Sequence, residues 1–333
     1  MFVGETLSLI VAAAWTVTAL YAEVGSKRIG SLPFNAVRMS MSLVFLALTL
    51  WLTMGVPVPR FADSATWMWL LLSGVVGYVV GDYFLMQGYI IIGSRFGQLF
   101  MTLSAPTAAL LGRMFIGEQM RPKAIAGMFV TLCGIAISIL SKKEEPAGRD
   151  RDVSAFRLRL KLPRMGIFCA AMAGICQGAG LVLSKIGMAS YDAALHIRGI
   201  SADAVPEGAL LRIPLKISIP FASTMMRGTI GLAGFLLLLF LFSKGSAAPL
   251  RKALKDRKAL KCAFWSMFFG PFVGVSLSLM ATLYTATGIA QTLFALTPVL
   301  IIAPAALIFH QKVTLREVIG AVISVGGVCL FFI

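Results

Sequence analysis

Apolar residues run along this chain in blocks of about twenty, separated by short polar or charged stretches. The blocks cover residues 6–24, 36–54, 67–91, 96–116, 123–140, 166–187, 222–243, 262–285, 288–309 and 315–333. A helix needs roughly 20 residues to cross a hydrocarbon core of about 30 Å. No block alternates apolar and polar positions as a membrane-barrel strand does, so the pattern predicts ten transmembrane helices and an all-α membrane protein. Two blocks are interrupted by proline, at Pro106 in TLSAPTAALL and at Pro298 in FALTPVLIIAP. Proline deletes a helical hydrogen bond at a cost of about 3 kcal/mol or more. The carbonyl it frees is tolerated at membrane depth only where protein buries it or a watery cavity meets it. Pro106 and Pro298 are therefore expected to be helix kinks lining a pathway.

Composition agrees. Of 333 residues, 58% are hydrophobic and 13% charged, against roughly 45–50% and about 25% in soluble domains. The first block carries Glu5 in place of a basic leader region, and is read as a retained helix. Five cysteines, Cys133, Cys169, Cys176, Cys262 and Cys329, are scattered without metal-ligand spacing and read as small apolar fillers. No metal and no cofactor is expected.

A net charge of +16 raises the question of nucleic acid, but the placement of the charges points elsewhere. If ten spans are threaded, the linkers 142–165 and 244–261 fall on one side with Lys27, Arg28, Arg95, Lys312 and Arg316. That side holds twenty Lys and Arg residues, and the other holds six. The positive-inside rule then puts the basic side in the cytoplasm and both termini outside. The segment FRLRLKL (156–162) alternates basic and apolar residues and is expected to lie on the membrane surface. The expected partners are a small-molecule substrate and the lipid bilayer, with no nucleic acid; self-association into a homodimer stays open. The expected location is the plasma (inner) membrane, as a multi-pass protein.

The chain also repeats itself at an offset near 190. Gly77 and Gly81 return as Gly270 and Gly274, Gly127 and Gly134 as Gly320 and Gly327, and Gln98 as Gln291, each at 193; Pro106 returns as Pro298 after a one-residue slip. Arg38 pairs with Arg227, and Trp15 and Glu23 pair with Gln177 and Lys185. Two copies of five spans must have opposite orientations, because five is odd. The expected organisation is a first five-helix repeat over 1–141, a basic linker over 142–164, and a second repeat over 165–333. The second repeat carries an extramembrane insert at about 188–221. Inverted-topology repeats of this kind build many secondary transporters, with the binding site near the midplane between them.

The stretches PFNAVRMS, SAPTAALLGRMFIGEQMRPKAIAGMFVTLCGIAIS and TPVLIIAPAALIFHQKVTLREVIGAVISVGGVCLF, with Trp15 in the first block, resemble the EamA-type repeat of the drug/metabolite transporter superfamily. The resemblance covers nearly the whole chain outside the linkers and the insert. It implies a ten-helix transporter, in many members an inner-membrane exporter of metabolites or amino acids. There are departures: the acidic position after the proline is Glu118 in the first copy but His310 in the second, and the lysine usual near the end of the first helix is Glu23 in one copy and Lys185 in the other. Relatives often keep both termini in the cytoplasm, contrary to the charge count.

Ionisable groups inside spans are costly and mark function by default. Asp82 lies deepest, sharing a helix face with Tyr78 and Tyr89, and is the proton-coupling candidate. Gln98 and Thr102 form a polar face one turn before Pro106, and Gln291 takes the matching place in the second copy. Trp15, Thr18 and Gln177 are expected to face the same central space. The candidate substrate pathway is thus Trp15, Thr18, Tyr78, Asp82, Gln98, Thr102, Gln177 and Gln291. Arg38 and Arg227, placed near span ends, are expected to snorkel to the interface. Glu118, His310 and Lys312 are expected to cap and anchor helix ends, and the spaced glycines to let helices pack closely. No catalytic residues are expected: Gly-x-Ser-x-Gly, a His–Glu metal motif and a paired-Asp set are all missing from the sequence. The function expected is secondary, ATP-independent transport of a small polar or amphiphilic metabolite, in the export direction, by alternating access. The competing reading is a polytopic membrane enzyme or lipid-handling protein.

Overall fold

The computed structural model describes residues 2–139, 163–302, 304 and 315–330. All regular structure among them is helical. The first half contains α1 (Val3–Ile29), α2 (Ser31–Met54), α3 (Ser64–Gly74), α4 (Tyr83–Met101), α5 (Ser104–Ile116) and α6 (Pro122–Ile139). The second contains α7 (Arg164–Ile197), α8 (Leu215–Phe242), α9 (Ala248–Lys255), α10 (Arg257–Met267), α11 (Val273–Tyr284), α12 (Thr287–Phe294), α13 (Thr297–Leu300) and α14 (Leu315–Cys329). Among the described residues, six helical stretches are long and apolar enough to cross a membrane, and three shorter apolar ones accompany them.

The longest of the six, Ser64–Met101, is really two helices. Gly93 turns the chain with φ 82° and ψ 163°. That conformation is open to glycine and strained for other residues, and it falls between the blocks expected at 67–91 and 96–116. A second discontinuity follows at residues 102–103, between α4 and α5, and a matching one at 295–296, between α12 and α13. Each break lies just ahead of a proline, so Pro106 and Pro298 enter the first turn of the next helix, where a missing N–H costs little. The carbonyls they would have opposed are satisfied locally: that of Thr102 accepts from the Ala105 N–H at 3.2 Å, and that of Phe294 from the Thr297 hydroxyl at 2.8 Å. The chain resolves the proline conflict by ending one helix and starting another.

Two π-helical segments, Val75–Asp82 and Phe268–Phe272, link α3 to α4 and α10 to α11. They begin 193 residues apart. The first contains Gly77 and Gly81, and the second contains Pro271, which can only weaken the α-helical ladder. π turns of this sort cluster at functional sites.

The most extensive helix pairings all join one half to the other: α6 with α14, α4, α3 and α5 with α7, α2 with α8, and α1 with α10 and α11. At the α6–α14 seam, the Thr131 hydroxyl donates to the Ser324 carbonyl at 3.4 Å, and the Ser324 hydroxyl to the Thr131 carbonyl at 3.3 Å. A Cβ on Gly134 would come within 2.5 Å of the Ser324 nitrogen, and one on Gly327 within 2.5 Å of the Thr131 nitrogen. Two backbones can lie this close in lipid only because glycine is there.

The insert expected at 188–221 is narrower than the sequence suggests. Met188–Ile197, rich in good helix formers, continues α7 to 34 residues, about 51 Å at 1.5 Å per residue and so well beyond a bilayer core. α8 begins at Leu215, leaving 198–214 as the irregular part. This segment has its own tight packing. Tyr191 is buried and donates to the Arg60 carbonyl, and the Leu211 N–H donates to the Leu52 carbonyl at 2.8 Å. FRLRLKL, His310 and Lys312 lie outside the described residues.

Candidate functional site

The centre of the bundle is polar and charged. Asp82, at the end of the first π segment, is buried and forms an ion pair with Arg38 of α2. Its backbone carbonyl accepts from the Asn35 side chain at 3.3 Å, tying the same two elements together one turn away. On the other side stands Arg227 of α8, whose guanidinium carbon lies 4.9 Å from the centroid of the Tyr78 ring. Arg38 is 2% exposed and Arg227 3%.

These burials overturn the expectation that both arginines snorkel. α2 begins at Ser31 and α8 at Leu215, whereas the apolar blocks suggest starts at 36 and 222. With these starts Arg38 lies about two turns and Arg227 more than three turns inside its helix, past the reach of a snorkelling side chain. Glycine makes the room: a Cβ on Gly77 would meet Arg227 Nη2 at 2.8 Å, and one on Gly270 would meet Thr18 at 3.0 Å with Arg38 Nη1 at 3.7 Å. The third helix of each half thus lies against the arginine of the other half.

The remaining candidates divide into two groups around this centre. Tyr89 and Gln98 are buried, with the Gln98 amide donating to the Tyr89 hydroxyl, and Tyr89 lies within electrostatic reach of Asp82 and Arg38. Gln291, fully buried, accepts from Ser104 at 3.0 Å, and its amide approaches the Gln177 carbonyl at 3.5 Å. Trp15 is half-buried, packing its ring 5.1 Å from that of Phe294 and lying against Gly274. Thr18 and Thr102 spend their hydroxyls on their own helices, at the Ala14 and Leu99 carbonyls. Pro298 is buried, but Pro106 is exposed on the outside of the bundle, so contrary to expectation it does not line a pathway.

Each end of the bundle carries its own ionic cluster. At one end, Glu23 accepts from the Ser94 N–H at 2.8 Å, just after the Gly93 turn, and from Lys27 at 2.5 Å. Arg28 pairs with Asp256 nearby, and a cavity of about 410 Å³ opens beside Arg28 and Lys252. At the other end, Glu118 accepts from the Thr287 N–H at 2.9 Å and from its hydroxyl at 2.6 Å, which caps α12. Lys185 donates to Glu118 at 2.6 Å and to the Thr285 carbonyl at 3.1 Å. A cavity of about 310 Å³ lies there, lined by Glu118, Lys185, Tyr284 and Thr285 among others. Neither cavity reaches the Arg38–Asp82–Arg227 cluster.

Ser94 and Thr287 are 193 apart, so the two caps correspond. In the first half the carboxylate comes from α1, as Glu23. In the second half Lys185 stands at that place, and Glu118 is brought in from across the bundle to cap the helix. Sequence reasoning places Glu118 as a cap on its own helix end; the structure gives it to α12 of the other half.

A model of the EamA-like transporter family matches residues 2–140 and 208–333, one match in each half. A solved crystal structure, described only as that of a protein, shares the fold with a TM-score of 0.66 and 14% identity. That likeness covers 98% of this chain and 95% of the other. No curated protein matches the sequence.

Proposed function

The chain belongs to the EamA-like transporter family, and from that premise we propose that it is a secondary transporter, ATP-independent, of a small polar or amphiphilic metabolite. Its two five-helix halves, inverted relative to each other across ten spans, work by alternating access in the export direction. The observation that carries this reading is the buried Arg38–Asp82–Arg227 cluster between the halves, with separate ionic closures toward each end. A solute site closed on both sides by breakable contacts is what alternating access requires. The cross-half packing supports it too, because rocking one half against the other breaks and remakes those same contacts. Trp15, Thr18, Tyr78, Asp82, Gln98, Thr102, Gln177 and Gln291 are the proposed pathway, with Pro298 as its buried bend. Asp82 is the proposed coupling group; protonating it would release Arg38 and loosen α2 from the first π segment.

Purified protein reconstituted in liposomes should move a solute from a panel of amino acids, nucleosides, organic anions and cationic drugs without ATP. Flux should respond to an imposed pH gradient, and Asp82→Asn should remove that response. Flux that requires ATP, or a complete absence of flux across the panel, would sink the reading. A pH response that survives in Asp82→Asn would reject the coupling role alone.

A further inference from the structure

Charge at the centre does not balance. Asp82 lies within electrostatic reach of both Arg38 and Arg227, and Arg38 holds it directly. Arg227 forms no ion pair among the described residues. Its Nε is buried without a hydrogen-bond partner, and so are the hydroxyls of Tyr78 and of Ser223, one turn earlier on the same face of α8. The Tyr78 ring beneath its guanidinium attracts it, but cation–π attraction is weaker than the cost of desolvating an ion, so the ring alone does not offset the burial.

The internal repeat shows where the missing charge belongs. Arg38 and Arg227 occupy matching places in the two halves, and the shift of 193 that relates the π segments carries Asp82 onto Val275. The second half has kept the arginine and put a buried aliphatic side chain in the place of its counter-ion. Gly77 holds open the space at the guanidinium tip.

We infer that Arg227 anchors a monoanionic group, a carboxylate or a singly charged phosphate, on the transported solute. One negative charge brings the cluster to neutrality. The guanidinium fork presents two parallel N–H donors to such a group, and the Tyr78 and Ser223 hydroxyls stand ready as further donors. Arg38–Asp82 is then the built-in version of the pair that the solute completes on the other side. This inference rests on the transporter reading and adds the charge of the substrate to it.

The test uses the whole chain in detergent and in liposomes, with acetate, benzoate and dimethyl phosphate, each carrying a single negative charge, as probes and acetamide and benzamide as uncharged controls. The anions should raise the thermal unfolding midpoint of the wild type while the amides do not. Apparent affinity should fall tenfold or more in Arg227→Gln and less in Arg227→Lys. Val275→Asp, which puts a carboxylate at the repeat counterpart of Asp82, should abolish the anion effect. The inference is overturned if the amides protect as well as the anions, if no anion protects the wild type, or if Val275→Asp binds anions like the wild type. Anions that protect while no solute of the panel crosses the liposome membrane would leave the anion site standing and sink transport. ATP-free flux of a neutral or cationic solute, undiminished by Val275→Asp, would leave transport standing and sink the anion site.

Discussion

Arg38 and Arg227 are the same residue at matching points of a repeated design, yet their surroundings differ. Arg38 has Asp82 as an ion-pair partner, and Arg227 has the face of Tyr78. Both are buried to within a few per cent, so exposure does not account for the difference. The contrast lies in what each half does with its third helix: one places a carboxylate at the end of the π segment, and the other a valine three residues past it. A duplicated scaffold can therefore supply an ion pair on one side and, among the described residues, a cation without one on the other, without changing its backbone plan.

The sharpest way to break this contrast is to remove the one carboxylate. Asp82→Asn leaves two buried guanidiniums with no counter-ion, and a broken buried pair costs about 3–5 kcal/mol. A strongly lowered unfolding midpoint in detergent is expected, with most of the loss recovered in Asp82→Asn/Arg38→Met. An unchanged midpoint in the single variant would mean that the pair does not support the fold. Next in size is the seam that holds the halves together away from any charge. Gly134→Leu forces a side chain into the Ser324 backbone, and overpacking of this kind costs typically about 1–3 kcal/mol. The same substitution at Gly326, where a Cβ meets nothing within 4 Å, serves as the control and should be close to neutral.

A smaller effect separates the two ends. Glu118→Gln breaks the ion pair with Lys185 and weakens the cap on α12, for about 1 kcal/mol. It should also speed thiol labelling of a cysteine placed at Thr285. Glu23→Gln, at the opposite end, should leave that labelling rate unchanged; equal acceleration by both variants would show that the two closures are not independent. The smallest effect is in solution-facing charge. Backbone donation from Ala259, with Arg28 beside it, holds the Asp256 carboxyl below its ordinary value of 3.8. A carboxylate lowered on folding stabilises above its unfolded value and loses that contribution as pH falls through the folded one. Asp256→Asn should therefore flatten the stability profile slightly below pH 3.8 and nowhere else.

Much of the helical framework is legible in the sequence because lipid imposes a length on each apolar block and the repeat supplies its own check. The glycines at 77, 134, 270 and 327 could be read as close-packing points from spacing alone, because a helix puts such positions on one face. The arginines could not be placed. Their depth depends on where α2 and α8 begin, and the starts, Ser31–Asn35 and Leu215–Phe221, include polar residues that an apolar block does not include. The π segments were equally hidden: only the GxxxG pairs and Pro271 mark them, and those features are as common in ordinary membrane helices. The cap that Glu118 gives to α12 joins residues 169 apart, a distance over which no local pattern operates.

The interlocking of the halves bears on how the protein is made. Chains are synthesised from the N-terminus at about 5–20 residues per second, so α1 to α6 reach the membrane well before α7. The first half can enter lipid with its central charges already matched, since Arg38 and Asp82 both belong to it. The helices that face α7, α8 and α14 must meanwhile stand against lipid or an insertion factor, with polar side chains such as Thr131 still waiting for partners. Arg227 arrives last among the central charges and finds its aromatic seat on Tyr78 already in place. The order of synthesis makes the first half the template on which the second is laid down.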